Sequence, residues 1–167
     1  MGTEGLIIMG TSGCGKSTVG RLLAERFGWP FLDADDFHPA ENIQKMQAGI
    51  PLSDGDRLPW LRTLNGLLAD AIRGGAHPVL ACSALKESYR QELLSGGLGL
   101  TVVYLRGTYE NILERVQSRQ DHFMPAELLR SQFDALEEPA DAWIFDISQP
   151  AEEIVEQIAV RLKASKC

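Results

Sequence analysis

Apolar residues follow two rhythms along this chain. Continuous runs, Leu6 Ile7 Ile8 Met9, Pro30 Phe31 Leu32, Val79 Leu80 Ala81 Cys82, Leu100 to Leu105 and Trp143 Ile144 Phe145, alternate with stretches whose apolar positions recur every three or four residues. The continuous runs suit strands buried on both faces, and the spaced stretches suit helices with one buried stripe. Val19, Leu22, Leu23 and Phe27 mark a first helix that Gly28 is placed to stop. Pro39 opens a second, through Ile43 and Met46, which Gly49 ends. A polar segment, Ser53 Asp54 Gly55 Asp56 Arg57, precedes a third, whose apolar face is Trp60, Leu61, Leu64, Leu67, Leu68, Ala71 and Ile72 and which closes at Gly74 Gly75. Strands joined by crossover helices predict a doubly wound α/β fold, a three-layer sandwich on a five-stranded parallel sheet, as one domain over residues 1–167. Ligands then belong at the carboxyl ends of the strands.

The first of those ends runs into Gly10 Thr11 Ser12 Gly13 Cys14 Gly15 Lys16 Ser17, with Thr18 following. Glycines at this spacing let a backbone curl so that several N–H groups turn onto phosphate oxygens, and the next helix adds its positive N-terminal end. Lys16 supplies a mobile charge for the terminal phosphates, and the Ser17 hydroxyl is a ligand for the magnesium ion that travels with ATP. The stretch predicts a nucleotide triphosphatase or kinase binding ATP and Mg2+.

Charge and composition narrow the partners. The net charge of -7 and the absence of a basic tract argue against nucleic acid. No apolar segment is long enough to span a membrane, and MGTEGLIIMG lacks a basic n-region, so a cytoplasmic protein is expected. Cys14, Cys82 and Cys167 are odd in number, without metal-ligand spacing, and suit a reducing compartment.

The second strand ends in acid: Asp33, Asp35 and Asp36, with His38 beyond. On an extended chain Asp33 and Asp35 point the same way, so both can face the phosphate loop, one near magnesium and one accepting the proton of an attacking hydroxyl. A solvated, capped turn before Pro39 is the alternative. Lys86 with Arg90, and Arg115 with Arg119, are spaced to share helical faces as partners for transferred phosphate or as ordinary surface charge. Arg119 leads into Gln120 Asp121 His122 Phe123 Met124 Pro125, a polar link that could form a lid around 119–126. Neither Val79 to Cys82 nor Leu100 to Leu105 ends in the aspartate of motor-type ATPases, and no Asn-Lys-x-Asp run of a GTPase occurs. The residues therefore read as a small-molecule kinase.

Longer blocks go further. GTSGCGKS at 10–17, FLDADDFHP at 31–39, NIQKM at 42–46, GIPLSDGDRLPWL at 49–61, ACSALKESYR at 81–90 and HFMPAELLRSQFDALEEP at 122–139 give the chain an end-to-end resemblance to gluconokinases of the phosphate-loop type, relatives of shikimate and nucleoside monophosphate kinases. The resemblance implies transfer of the γ-phosphoryl group of ATP to the 6-hydroxyl of D-gluconate in a cytoplasmic enzyme, often a homodimer. It implies that Asp35 binds or deprotonates the acceptor, that Asp33 lies near magnesium, and that Arg57 pairs with the substrate carboxylate through its two-pronged guanidinium. His38, Lys86, Arg90, His122 and Gln132 become contacts for polyol or phosphate. Arg115 and Arg119 become nucleotide clamps, and the Ser148 Gln149 Pro150 turn becomes the segment over which adenine lies. A shikimate-type kinase and an ATP-sensing protein that transfers no phosphate remain the competing readings.

Overall fold

A computed structural model of the chain describes residues 2–118 and 126–166. Five strands, β1 (Gly5–Met9), β2 (Phe31–Asp33), β3 (Val79–Ala81), β4 (Leu100–Arg106) and β5 (Trp143–Asp146), form one sheet in the order β2-β3-β1-β4-β5. Every neighbouring pair is parallel. Between them run α1 (Lys16–Phe27), α2 (Ala40–Gln47), α3 (Asp54–Arg73), α4 (Glu87–Leu94), α5 (Tyr109–Ser118) and α6 (Ala126–Ala135), and α7 (Ala151–Ser165) follows β5.

The sheet separates two cores, and β1 shows how. Side chains alternate across a strand, so Leu6 and Ile8 pack with Leu23, Ile112 and Ile158 on one face, while Ile7 and Met9 pack with Trp60, Leu64 and Leu93 on the other. All four are fully buried. Each such side chain contributes about 1.5–3 kcal/mol relative to exposure, which anchors the strand from which the phosphate loop springs.

Two local expectations need correction. The polar segment from Ser53 to Arg57 does not precede α3; from Asp54 onward it is the helix's first turn. The Ser53 hydroxyl accepts from the Asp56 N–H at 3.0 Å and the Asp56 carboxylate accepts from the Ser53 N–H at 2.9 Å, a reciprocal cap that uses polar side chains to satisfy the amides a helix start leaves unpaired. Asp35 is not on extended chain either. Residues Ala34–Phe37 form a 3-10 turn, because the Asp33 carboxylate accepts from the Asp35 N–H at 3.1 Å and pulls the backbone round.

Candidate active site

At the carboxyl end of β1 the backbone turns at once. Gly10 N–H donates to the Ser83 carbonyl at 3.3 Å, tying the loop to the chain leaving β3. Gly13 sits at φ +83, and a Cβ there would lie 2.6 Å from Val116 Cγ2, so a side chain would be both strained and obstructed. Gly15 caps α1 at φ +98 without a capping side chain, which leaves the first amides of the helix to a ligand. Lys16 Nζ donates to the Thr11 carbonyl at 3.0 Å, and Ser17 Oγ donates to Asp33 Oδ2 at 3.3 Å.

Above the loop lies a cavity of about 560 Å³ bordered by Ser12, Gly13, Gly15, Lys16, Ser17 and Thr18, with Asp33 and Asp35 opposite. Gly10, Thr11 and Cys14 are buried beneath it as the frame of the loop. A second cavity, of about 480 Å³, opens beside the first and contains Arg57, Lys86, Tyr89, His38 and Trp60. Asp35, Ser83 and Gln132 border both. Gln132 is pinned across the join: its Oε1 accepts from the Ser12 N–H at 2.8 Å and its Nε2 donates to Ser12 Oγ at 2.9 Å.

Electrostatics distinguish the groups at the join. The Asp35 side chain is reachable by solvent, yet the protein around it, together with the Asp33 charge, holds its carboxyl above the ordinary carboxylate value against the pull of Lys16. Burial lowers His38, and the Asp35 charge opposes it. In the second cavity Arg57 Nη1 donates to the Leu52 carbonyl at 2.7 Å and to Tyr89 Oη at 3.2 Å, while its Nε and Nη2 have no hydrogen-bond partner among the described residues. Asp54 accepts from Tyr89 Oη at 2.5 Å and from Lys86 Nζ at 3.1 Å; the tyrosine hydroxyl first, then the lysine, lowers its carboxyl, and the Asp54 contact raises Lys86 in turn.

Several sequence candidates land elsewhere. Lys86 and Arg90 do not share a helical face, because Lys86 is the residue before α4, in extended conformation. Arg90 is 2% exposed and lies outside both cavities. Its guanidinium donates to the carbonyls of Ala84 at 2.7 Å, Leu85 at 3.1 Å and Glu137 at 2.7 Å and pairs with Glu87 at 2.9 Å. Ala84 holds a left-handed φ of +46, which costs an L-residue about 1–2 kcal/mol, and Arg90 braces that bend. Arg115 lies in a separate cavity with Asn111, Ser118 and Ser148, donating to the Ile147 carbonyl. Gln149 does not border that cavity; its side chain donates to the Asp146 carbonyl and accepts from Gln157. Arg119, His122 and most of the 119–126 link lie outside the described residues.

Tyr89 and Asp54 were not singled out from sequence. Tyr89 follows Lys86 by one helical turn, a spacing that could have paired them, but Asp54 arrives from another helix and left no local signal.

Similarity to known proteins agrees with this geometry. The shikimate kinase family profile matches residues 12–163. The chain is 49% identical to "Probable gluconokinase" of Mus musculus over 81% of this chain and 83% of that one, and 44% identical to the thermosensitive gluconokinase of Escherichia coli K12 over 94% and 86%. The chain belongs to the gluconokinase family. A solved gluconokinase from Sinorhizobium meliloti 1021 superposes with a TM-score of 0.84 at 40% identity, covering 97% of this chain and 93% of that one. The chain is accordingly a kinase with the α/β architecture of that family.

Proposed function

We propose that this gluconokinase-family chain transfers the γ-phosphoryl group of ATP to the 6-hydroxyl of D-gluconate, giving 6-phosphogluconate and ADP. The observation that carries the reading is the meeting of two cavities at Asp35 and Gln132, one floored by the phosphate loop and one holding the outward donors of Arg57. The gluconokinases at 44–49% identity supply the acceptor.

In this mechanism the loop amides and the start of α1 hold the donor phosphates. Lys16 exchanges the Thr11 carbonyl for the terminal phosphates and follows charge as it builds on the transferring group. Ser17 and Asp33 are the residues for Mg2+: both offer hard oxygens and already lie 3.3 Å apart, and the ion, when bound, neutralises phosphate charge. Asp35 accepts the proton of the attacking hydroxyl. The protein around it and the Asp33 charge hold its carboxyl above the ordinary carboxylate value, which makes it more basic than an unperturbed aspartate and suits a base. Arg57 Nε and Nη2 take the acceptor carboxylate, with Lys86 and His38 supporting. Gln132 positions the loop at the point of transfer and contacts the acceptor. Arg115, near Ser148, clamps the nucleotide side together with Arg119, and the 119–126 link closes over ATP. Buried Cys14 and Cys82 thiols support a cytoplasmic setting; the homodimer rests on the family resemblance, and light scattering on purified protein checks it.

The deciding experiment measures ADP release with ATP, Mg2+ and a panel of D-gluconate, other sugar acids, shikimate and nucleoside monophosphates. Stimulation by gluconate alone is expected. Stimulation by another acid would keep the mechanism and overturn the acceptor, and indifference to every acceptor would overturn the kinase assignment.

A further inference from the structure

We propose that Asn42 is a positioning residue of the acceptor cavity, holding the His38 imidazole neutral with its proton on Nε2 so that this N–H donates to an oxygen of the acceptor. The inference rests on the reading of that cavity as the acceptor site.

Asn42 is 3% exposed, a polar side chain placed in the interior at the start of α2. Its Nδ2 lies 3.0 Å from the Asp56 carbonyl oxygen and 3.3 Å from His38 Nδ1. A carbonyl only accepts, so the nitrogen end of the amide must be the end that faces Asp56, and the same nitrogen therefore faces the ring. An amide nitrogen cannot accept. His38 Nδ1 must then be the acceptor, unprotonated, and the ring proton must sit on Nε2. Adding a proton at Nδ1 would set two donors against each other, so Asn42 opposes both the other tautomer and the imidazolium. Burial acts in the same direction on His38, with Arg57 adding to it and Asp35 opposing.

The rest of the ring is held as firmly. Trp60 stacks on it with centroids 4.1 Å apart and planes 15° from parallel, and Trp60 is itself fixed by a 2.8 Å bond from its Nε1 to the Ala34 carbonyl. His38 borders the acceptor cavity, and its Nε2 has no hydrogen-bond partner among the described residues. A donor of fixed direction is thereby presented without the desolvation that a buried charge would require, and without adding a further cation beside Arg57 and Lys86.

A purely structural Asn42 would tie α2 to Asp56 and leave the ring indifferent. The two roles separate in the full-length protein labelled with 15N-histidine, with the ring nitrogens read by long-range proton–nitrogen spectra at neutral pH and His38 assigned by its loss in His38→Gln. The expected result is an unprotonated Nδ1, a protonated Nε2, and displacement of the Nε2 signal on addition of D-gluconate. A predominant Nδ1–H form, the mixture shown by free imidazole, or an Nε2 signal unmoved at saturating gluconate would overturn the proposal. Because the ring is read in the unaltered protein, the result does not depend on any Asn42 variant folding. Asn42→Ala is expected to release the ring toward the ordinary tautomer mixture and to raise the gluconate KM about tenfold, the scale of one hydrogen bond, with the ATP KM unchanged. An unchanged ring in folded Asn42→Ala would reduce the residue to a tie between helices. His38→Ala should raise the gluconate KM similarly, and His38→Gln, which keeps an N–H donor, should restore most of it. Full ADP release with gluconate from a protein whose ring carries the Nδ1–H form would sink this inference alone; no release with gluconate would sink the acceptor reading first.

Discussion

The donor cavity takes one wall from a single short stretch between Ser12 and Thr18, whereas the acceptor cavity gathers Asp35, His38, Arg57, Lys86 and Tyr89 from separate elements. The first is made chiefly of backbone, with amides aimed by glycine conformations and a helix start. The second is made of side chains that already hold one another: Arg57 on Leu52 and Tyr89, Lys86 on Asp54. Phosphates meet mostly backbone donors, and only Lys16, Ser17 and the Ser12 amide have partners to leave, at Thr11, Asp33 and Gln132. A sugar acid must replace or join existing contacts, so its affinity should depend on residues that never touch it.

Substitutions can test this contrast. The largest effect is expected for Lys16→Ala, which removes the one charge that follows the phosphoryl group: kcat should fall roughly a thousandfold in a steady-state assay, with the gluconate KM nearly unchanged. Asp35→Asn should lower kcat about a hundredfold or more while ATP binding, read by calorimetry, stays intact. Loss of ATP affinity would reassign Asp35 to the metal. A second consequence follows from sign. A carboxyl raised on folding binds its proton more tightly in the native state, so its contribution to stability is full below the unfolded value and is lost as pH rises from there through the folded value. Asp35→Asn should therefore raise the melting temperature at neutral pH even as it slows turnover, and in the unaltered enzyme the acid limb of kcat/KM should lie above the ordinary carboxylate range.

Arg57→Ala should raise the gluconate KM by about 10- to 100-fold and leave the ATP KM alone, the value of charge-assisted hydrogen bonds. Equal changes for both substrates would erase the division between the cavities. Arg90→Ala probes the scaffold instead: removing a buried guanidinium orphans three carbonyls, and unfolding should become easier by about 2–4 kcal/mol in denaturant titration. The smallest effect belongs to Asp56, held down to about 2 by Lys45 and by the Ser53 cap. A depressed carboxyl stabilises above its unfolded value and loses that contribution as pH falls toward 2. Asp56→Asn should lower the melting temperature slightly at pH 7, and the difference should fade between about pH 4 and pH 2.

Strand order in the sequence, the helix stops at Gly28 and Gly74, and the phosphate loop were all legible because each is governed by residues a few positions apart. The acceptor cavity was legible only in parts. Arg57 and Asp35 stood out as charged residues in dense polar blocks, but Arg90 sits in an equally suggestive block and turned out to brace Ala84, because burial of its side chain is decided by α4 packing against the rest of the chain. Gln132 could be named but not explained until α6 was seen to lay it against Ser12. Asn42 gave no hint of chemistry at all, since its meaning depends on which end of its amide faces a carbonyl fourteen residues away.

The sequence by itself determined the α/β alternation, the donor loop and the class of chemistry, for these depend on periodicity and on backbone freedoms that glycine, proline and capping residues write locally. The tertiary structure alone decided which charges meet the ligand and which serve the fold, and which nitrogen of His38 carries its proton. Those outcomes turn on distances of about 3 Å between residues far apart in the chain, and hydrogen bonds weaken too steeply with distance and angle for spacing in sequence to specify them.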